Sequence, residues 1–359
     1  MISMLKLTTR RNKTMKKILA LLLAALLLLG MCACGGETAQ PTGEPTTEAT
    51  EPEKAGIPKK DTLKVLTLGH SLAVDANHML ALVANAEGYT GLTVGTLYYS
   101  GCPLYKHVDY LTNNTPEYDL YLSNSANPAP PTVMMDITMY DALRYDNWDV
   151  IIMQAGVFEI AVDATYKAGH IQTIQEYCNK HKFNKDAVFG WNMTWVPPVD
   201  RSLMEQYPYS PNVYETGYLT YGYDRATMYN NVTKCIADNI LTDDTFVCLI
   251  PSGTVMENAL SSYMTEKDIH RDYAHASDFG RVATAYAWYC TLLGIDKIDE
   301  VKMDTIPRKY FRSLTGLQDY TFTQAEKDLI VESVNNALAN PLQMTQSQYT
   351  EAPADYVAK

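Results

Sequence analysis

The sequence is poor in positive charge and in long apolar runs. Its 359 residues carry 29 Lys and Arg against 41 Asp and Glu, a formal net charge of −12. Binding to a phosphate backbone needs a basic face, so this balance argues against nucleic acid as a partner. The longest apolar run, residues 18–29, is too short to span a bilayer as a stable helix, and no other run is long enough to do so.

Spacings typical of metal ligands are also missing. Two of the 7 cysteines, Cys32 and Cys34, lie near the N-terminus, and the other five are scattered without a C-x-x-C motif. His270 and His275 are close in sequence but have no evident third ligand. We therefore expect free, buried thiols, no metal site and no cofactor.

The N-terminus has the pattern of an export signal. A basic segment precedes the apolar run of residues 18–29, and small residues and cysteine follow it. Ala33-Cys34 resembles the cleavage site of bacterial lipoproteins, which predicts a signal peptide over 1–33 and a lipid on Cys34. A secreted protein with a plain signal peptide is the alternative. Residues 34–60 are rich in Thr, Pro and Glu and are predicted to be a disordered acidic tether. The pattern predicts export and anchoring to the outer face of a bacterial cytoplasmic membrane.

Short apolar strands alternate with helical patterns through the rest of the chain. Strands are predicted at residues 63–68, 92–99, 149–154, 187–195 and 245–251. Helices are predicted at residues 75–87, 166–181, 227–240, 278–293 and 323–339. The alternation predicts an α/β fold, a three-layer α/β/α sandwich with a mainly parallel sheet. We assign residues 61–345 to this domain and 346–359 to a C-terminal tail.

Tyrosine is by far the commonest aromatic residue, with 26 Tyr against 7 Phe and 4 Trp. The excess suits polar ligands such as sugars, although a compositional bias of the lineage explains it equally well. Two stretches rich in Tyr, Pro and Asn, residues 113–137 and 197–223, are interpreted as loop insertions near the site. We expect the domain to be a monomer.

A serine follows the first predicted strand directly. In Gly69-His70-Ser71 the glycine permits a tight turn, and a strand-to-helix turn exposes the Ser71 hydroxyl at the sheet edge. The N-terminus of the next helix offers backbone N–H groups to a developing oxyanion. Ser71 is therefore a candidate nucleophile, although an ordinary helix-capping serine shows the same pattern. His70 points away from its neighbour and is expected to form a wall of the site.

An aspartate and a histidine stand three residues apart after the last predicted strand. Asp272-Tyr273-Ala274-His275 presents both side chains on one loop before a helix. Asp272 can accept the Nδ1–H of His275, which leaves Nε2 to act as a base toward a serine. Each motif is weak alone, and their joint occurrence with Ser71 is more specific.

This combination resembles the SGNH (GDSL-type) hydrolases, and other motifs extend the resemblance. Their order is similar to that of an SGNH-like bacterial family catalogued as domain of unknown function 4886, over residues 61–295. The motifs are Leu68-Gly-His-Ser-Leu-Ala-Val-Asp75, Tyr99-Ser-Gly-Cys-Pro-Leu104, Trp148-Asp-Val-Ile-Ile-Met-Gln154, Gly190-Trp-Asn-Met-Thr-Trp195, Pro251-Ser-Gly-Thr254 and Arg271-Asp-Tyr-Ala-His-Ala-Ser277. The resemblance implies a flavodoxin-like fold and hydrolysis of esters.

The resemblance also implies a role for each matching position. Ser71 matches the nucleophile, His275 the base and Asp272 the acid. The N–H groups of Ser71 and Gly101 match two donors of the oxyanion hole. The usual Asn of a G-x-N motif after the third strand is absent, and the side-chain amide of Gln154 is the candidate substitute.

Three polar or aromatic residues end the fourth predicted strand. Trp191, Asn192 and Trp195, together with His70, are expected to bind substrate, because indole rings stack well on sugar faces. Both tryptophans fit a plain core position equally well.

Together with what the resemblance implies, these patterns predict a surface-anchored serine esterase that deacetylates an acetylated carbohydrate. Its partners would be a small-molecule or glycan ester and, through the lipid only, the membrane. A non-catalytic glycan- or solute-binding lipoprotein on the same scaffold is the alternative, favoured by the missing Asn. A phospholipid lipase is a third alternative, but the sequence offers no obvious exposed apolar lid.

Overall fold

A seven-stranded sheet forms the centre of the domain. The computed structural model describes residues 56–57, 60–204, 224–307 and 319–357. In these ranges the main sheet consists of β1 (Leu63–Gly69), β2 (Leu92–Tyr98), β3 (Tyr118–Asn124), β4 (Thr132–Ile137), β5 (Val150–Met153), β6 (Val188–Asn192) and β7 (Phe246–Ile250). Its spatial order is β4-β3-β2-β1-β5-β6-β7. The five strands from β2 to β7 in this order are parallel, and β3 and β4 add an antiparallel edge.

Helices connect the parallel strands. The helices of the described ranges are α1 (Ser71–Ala86), α2 (Leu104–Asn113), α3 (Met139–Tyr145), α4 (Asp163–Tyr166), α5 (His170–His181), α6 (Arg201–Met204), α7 (Arg225–Asn239), α8 (Ser252–Leu260), α9 (Glu266–Ile269), α10 (Asp278–Leu293) and α11 (Gln324–Ala339). A small two-stranded sheet pairs β8 (Thr305–Ile306) with β9 (Tyr320–Thr321).

The strands are apolar on both faces because both faces are covered. Successive residues of β1 alternate between two cores, with Val65 in one and Leu66 in the other. Ile152 and Ile151 of β5 divide in the same way. Residues of α1, α8, α10 and α11 build the first core, and residues of α2, α3, α5 and α7 build the second. This is the pattern of a parallel sheet buried on both sides, and the predicted α/β sandwich with a mainly parallel sheet is confirmed.

One predicted loop insertion is wrong. Residues 113–137 contain β3 and β4, which form an antiparallel hairpin at the edge of the sheet. Alternate residues of β3 face the core, and Tyr118 and Leu120 are fully buried. That alternation is a strand signal, which the surrounding Asn and Pro residues obscured. The second predicted insertion, 197–223, lies largely outside the described residues, apart from 197–204.

Helix boundaries follow local capping signals. Ser277 caps α10 through the N–H of Gly280, and Thr323 with Glu326 forms the capping box of α11, as predicted. The helix predicted over 75–87 begins four residues earlier, at Ser71. The helix predicted over 166–181 is divided near Gly169, which has a φ of 79°.

Residues just before and just after the predicted domain also contact it. Lys60 forms an ion pair with Asp149, so the folded part begins slightly before residue 61. In the predicted tail, Ser347 is buried and the Tyr356 hydroxyl donates to Asp268 at 2.6 Å. The predicted signal peptide, Cys34 and most of the tether lie outside the described residues. None of the described helices is long and apolar enough to cross a membrane.

Candidate active site

Ser71 is the first residue of α1 and is separated from the end of β1 by a single residue. Gly69 ends the strand, and His70 is the N-cap of the helix. Because Ser71 begins the helix, its N–H has no intrahelical acceptor. A Cβ at position 69 would lie 2.8 Å from the Nε2 atom of Gln154, so a larger residue there would displace the Gln154 amide. The turn presents both the hydroxyl and the N–H of Ser71 at the carboxyl edge of the sheet.

His275 and Asp272 complete a hydrogen-bonded chain with Ser71. The His275 Nε2 atom lies 2.8 Å from Ser71 Oγ, and its Nδ1 atom lies 2.8 and 2.9 Å from the two Asp272 oxygens. Asp272 also accepts the N–H groups of Ala274 and His275. The expected contacts among the three side chains are therefore present. This arrangement can remove the proton of a serine hydroxyl and stabilise the imidazolium that results.

The charge of Asp272 is maintained by its hydrogen bonds. Burial opposes ionisation, but the bonds and charge of His275 and the N–H of Ala274 together hold the pKa of Asp272 below its ordinary value. An Asp272 that is ionised at neutral pH keeps the proton on His275 Nδ1, which leaves Nε2 facing Ser71 as an acceptor.

An ion cluster that sequence reasoning missed fixes the loop of Asp272 and His275. The carboxylate of Asp75, on α1, binds Arg271 Nη1 at 2.8 Å and Arg281 Nε at 2.9 Å. It also accepts the N–H of Ala276 at 2.9 Å. Burial raises the pKa of Asp75, but the two guanidinium groups more than offset this and lower it overall. The signal in the sequence was an acid one helical turn after Ser71, with an arginine directly before Asp272.

A turn after β2 carries Gly101. The Cys102 N–H donates to Tyr99 O at 3.3 Å, and Gly101 has a φ of 60°, the left-handed region that favours glycine. The Tyr99 N–H donates to Gly69 O at 3.2 Å, which places this turn beside the turn that carries Ser71.

The segment after β5 packs closely against the turn that carries Gly101. A Cβ on Gly156 would lie 2.8 Å from Pro103 Cα, so the two backbones are in close contact. The Glu159 carboxylate accepts the Leu104 N–H at 3.0 Å and so stabilises the start of α2. Glu159 is therefore a helix-capping acid, and it fixes the segment that begins at Gln154.

Gln154 lies next to the serine turn and is buried. Its Oε1 atom accepts a hydrogen bond from Asn192 Nδ2 at 2.9 Å. Its Nε2 atom is close to Gly69, and within the described residues it has no hydrogen-bond partner. The Nε2 atom is therefore a buried donor without a partner in the described residues, close to the turn that carries Ser71.

His70 supports the turn from inside the protein and is not a wall of the site. Its side chain is fully buried, with Nε2 2.9 Å from Ala155 O and Nδ1 3.4 Å from the Leu72 N–H. Burial lowers the pKa of His70 to about 4, despite the bond to Ala155. The ring is therefore neutral, donates from Nε2 and caps α1 through Nδ1.

The other expected substrate-binding residues are also buried. Trp191 and Asn192 are 0% and 1% exposed, and Trp195 is 1% exposed. The Trp191 ring packs against Tyr166 and Phe246, and Trp195 Nε1 donates to Ala274 O at 2.7 Å. Neither indole offers a face to a ligand, so the expectation of a stacking platform is corrected to core and support positions.

The described residues contain no group of three or more His, Cys, Asp or Glu side chains that could hold a metal ion.

His107, outside the site, is buried against Tyr118, and its Nδ1 lies 2.8 Å from the Tyr118 hydroxyl. The five cysteines of the domain are free thiols.

Comparisons with known proteins identify a family. The family model described as Domain of unknown function (DUF4886) matches residues 64–311. The crystal structure of a DUF4886 family protein from Bacteroides uniformis ATCC 8492 is similar, with a TM-score of 0.64 and 22% sequence identity. That similarity covers 81% of this chain and 100% of the other, and it shows a shared fold.

Two further structures are more distant. A protein from Slackia heliotrinireducens, named as a candidate SGNH hydrolase, has a TM-score of 0.41 at 18% identity and covers 64% of this chain and 99% of its own. A lipase from a goat rumen metagenome has a TM-score of 0.35 at 11% identity, with coverage of 64% and 97%. No curated protein matches the sequence. Since the family model spans more than half of its length, this chain belongs to the DUF4886 family.

Proposed function

We propose that this protein is a serine esterase with Ser71 as nucleophile, His275 as base and Asp272 as the orienting acid. The observation that carries the proposal is the chain of hydrogen bonds from Ser71 Oγ through His275 to Asp272, all at 2.8–2.9 Å. These residues come from two distant parts of the sequence, and a serine aligned with a base that is oriented by a third group is the arrangement of an activated nucleophile.

The reaction has two steps. Ser71 Oγ attacks the ester carbonyl while His275 Nε2 takes its proton, and His275 then protonates the departing alcohol. Water, deprotonated by His275, then attacks the acyl-enzyme, and His275 returns the proton to Ser71 Oγ as the acid is released. The N–H groups of Ser71 and Gly101 and the amide of Gln154 would stabilise the oxyanion. In comparable sites each such donor lowers the barrier by roughly 3–4 kcal/mol.

The finer proposal is that the ester is an acetylated carbohydrate and that the enzyme acts at the bacterial surface. The lipoprotein-like N-terminus supports an exported, lipid-anchored enzyme, and the excess of tyrosine suits a sugar ligand. The resemblance to SGNH hydrolases supports deacetylation by analogy.

A fluorophosphonate probe tests the nucleophile. We expect intact-mass spectrometry to show one adduct on the wild type and none on Ser71→Ala. Ser123→Ala, a partly buried serine on β3, should label like the wild type and controls for the serine-to-alanine change. Absence of an adduct on folded wild-type protein would contradict the esterase and favour the glycan-binding alternative.

Acetate release tests the substrate. The wild type should release acetate from acetylated glycans, and Asp272→Asn should reduce kcat roughly 10³–10⁴-fold because the wrong imidazole tautomer becomes favoured. Cleavage of aryl acetates without acetate release from any acetylated glycan would retain the esterase and overturn the carbohydrate substrate.

A further inference from the structure

Three neighbouring parallel strands each bring one polar side chain to the same edge of the sheet. Gln154 follows β5, Asn192 ends β6, and Ser252 follows β7 as the first residue of α8. Each of the three is at most 1% exposed. Their side chains form a buried chain of hydrogen bonds, and two of its members, Asn192 and Ser252, have no role in the mechanism above.

The chain of bonds has a direction. Ser252 Oγ donates to Asn192 Oδ1 at 2.7 Å, and Asn192 Nδ2 donates to Gln154 Oε1 at 2.9 Å. The Gln154 oxygen is therefore occupied, and its NH2 group must point the other way. A buried amide donor without a partner is costly, and the Nε2 atom has none among the described residues.

We propose that Asn192 and Ser252 are positioning residues that hold the Gln154 amide with its NH2 group toward the oxyanion. Without them the amide could rotate and present its oxygen, which would repel the negative charge formed in the reaction. This inference rests on the proposed ester hydrolysis and assigns it two residues that never touch the substrate.

The support for this chain is rigid. Asn192 is paired with Ile250 in the sheet, and the Gly253 N–H donates to Met193 O at 2.8 Å. A Cβ on Gly253 would lie 2.6 Å from Thr194 O, so the end of β6 and the start of α8 are in direct contact. A donor held in this way needs no reorganisation when charge develops, which is the condition for effective oxyanion stabilisation.

Asn192→Asp tests the direction of the amide. A carboxylate only accepts hydrogen bonds, so it should take the Ser252 hydroxyl on one oxygen and turn the Gln154 NH2 toward the other. We expect kcat to fall about 100-fold, as in Gln154→Ala, because an oxyanion donor is lost. KM should stay within about twofold, since the donor acts only in the transition state.

A double-variant cycle separates positioning from general damage. If Asn192 acts through Gln154, the substitution Asn192→Asp should cause no further loss of kcat in the Gln154→Ala background. Additive losses would overturn the proposal, because they would show an effect independent of the Gln154 amide.

Ser252→Ala provides a second variant if Asn192→Asp does not fold. It should lower kcat about tenfold with KM unchanged, since it weakens the orientation without reversing it. The same cycle with Gln154→Ala should again be non-additive. Ser333→Ala is the matched control, because Ser333 is also fully buried, lies on α11 and has no partner for its hydroxyl among the described residues.

The wild type distinguishes the two proposals. If full-length wild-type protein neither reacts with the fluorophosphonate nor hydrolyses aryl acetate, the esterase proposal fails. If the wild type is active and Ser252→Ala and Asn192→Asp both keep its kcat, the positioning proposal alone is wrong.

Discussion

The buried carboxylate of Asp75 accepts a hydrogen bond from Arg271 Nη1 at 2.8 Å, although the two residues are 196 positions apart in the chain. Asp75 lies one helical turn after Ser71, and Arg271 directly precedes Asp272. This ion pair therefore joins the helix that carries the candidate nucleophile to the loop that carries its candidate base. Arg281, from α10, completes the link.

Asp75→Asn should lower both stability and reactivity. Removing the carboxylate takes a hydrogen-bonded counter-charge from the buried Arg281, and breaking such a pair costs roughly 3–5 kcal/mol. The released loop should also slow fluorophosphonate labelling of Ser71. Urea unfolding and labelling rates measure the two effects.

The control for this variant is Asp109→Asn. Asp109 forms an exposed ion pair with Lys106 on α2, and such pairs contribute about 0–1 kcal/mol. If Asp75→Asn is no less stable than this control, the ion cluster does not hold the loop.

Stability should decrease as the pH falls below about 6.5. Burial lowers the pKa of His107 to about 3, whereas an unfolded histidine titrates near 6.5. Between these values the unfolded chain binds a proton that the folded protein does not, so stability is lost as the pH decreases. His107→Gln should flatten the dependence of unfolding free energy on pH by up to about 1.4 kcal/mol per pH unit. An unchanged slope would show that His107 is not a buried neutral ring.

Gly101→Ala should lower the esterase activity clearly while the free energy of unfolding decreases only slightly. Gly101 has a φ of 60°, and a Cβ there would meet no atom within 4 Å, so the strain is confined to the backbone. That strain costs roughly 1–2 kcal/mol, and relieving it would shift the N–H that is proposed to hold the oxyanion. Gly88→Ala is a matched control, because Gly88 also has a positive φ and open space but follows the far end of α1. Equal activity in the two variants would remove Gly101 from the oxyanion hole.

Trp195→Phe should lower kcat and leave KM unchanged. The substitution removes the N–H that binds Ala274 O between Asp272 and His275, and an unsatisfied buried carbonyl costs about 1–3 kcal/mol. Trp288→Phe is the control, since the buried Nε1 of Trp288 has no partner among the described residues. A rise in KM for Trp195→Phe alone would restore the interpretation that its ring binds substrate.

Helices and strands could be predicted where a few neighbouring residues carry the signal for them. Apolar runs located the five parallel strands, and the caps at Ser277 and Thr323 marked the starts of α10 and α11. The edge hairpin was missed, because β4 is mostly exposed and gives little hydrophobic pattern. The start of α1 was misplaced because its cap is the neutral side chain of His70, an uncommon N-cap residue.

The sequence alone placed Ser71 and the Asp272–His275 loop at one edge of the molecule. Strands that run parallel end at the same edge, and a separation of three residues lets Asp272 reach His275 within one loop. Tertiary structure decided which polar groups meet across that edge. Asp75 with Arg271, Trp195 with Ala274, and Gln154 with Asn192 are pairs from distant segments. Burial and hydrogen-bond partners depend on how those segments pack, and no local pattern in the chain encodes them.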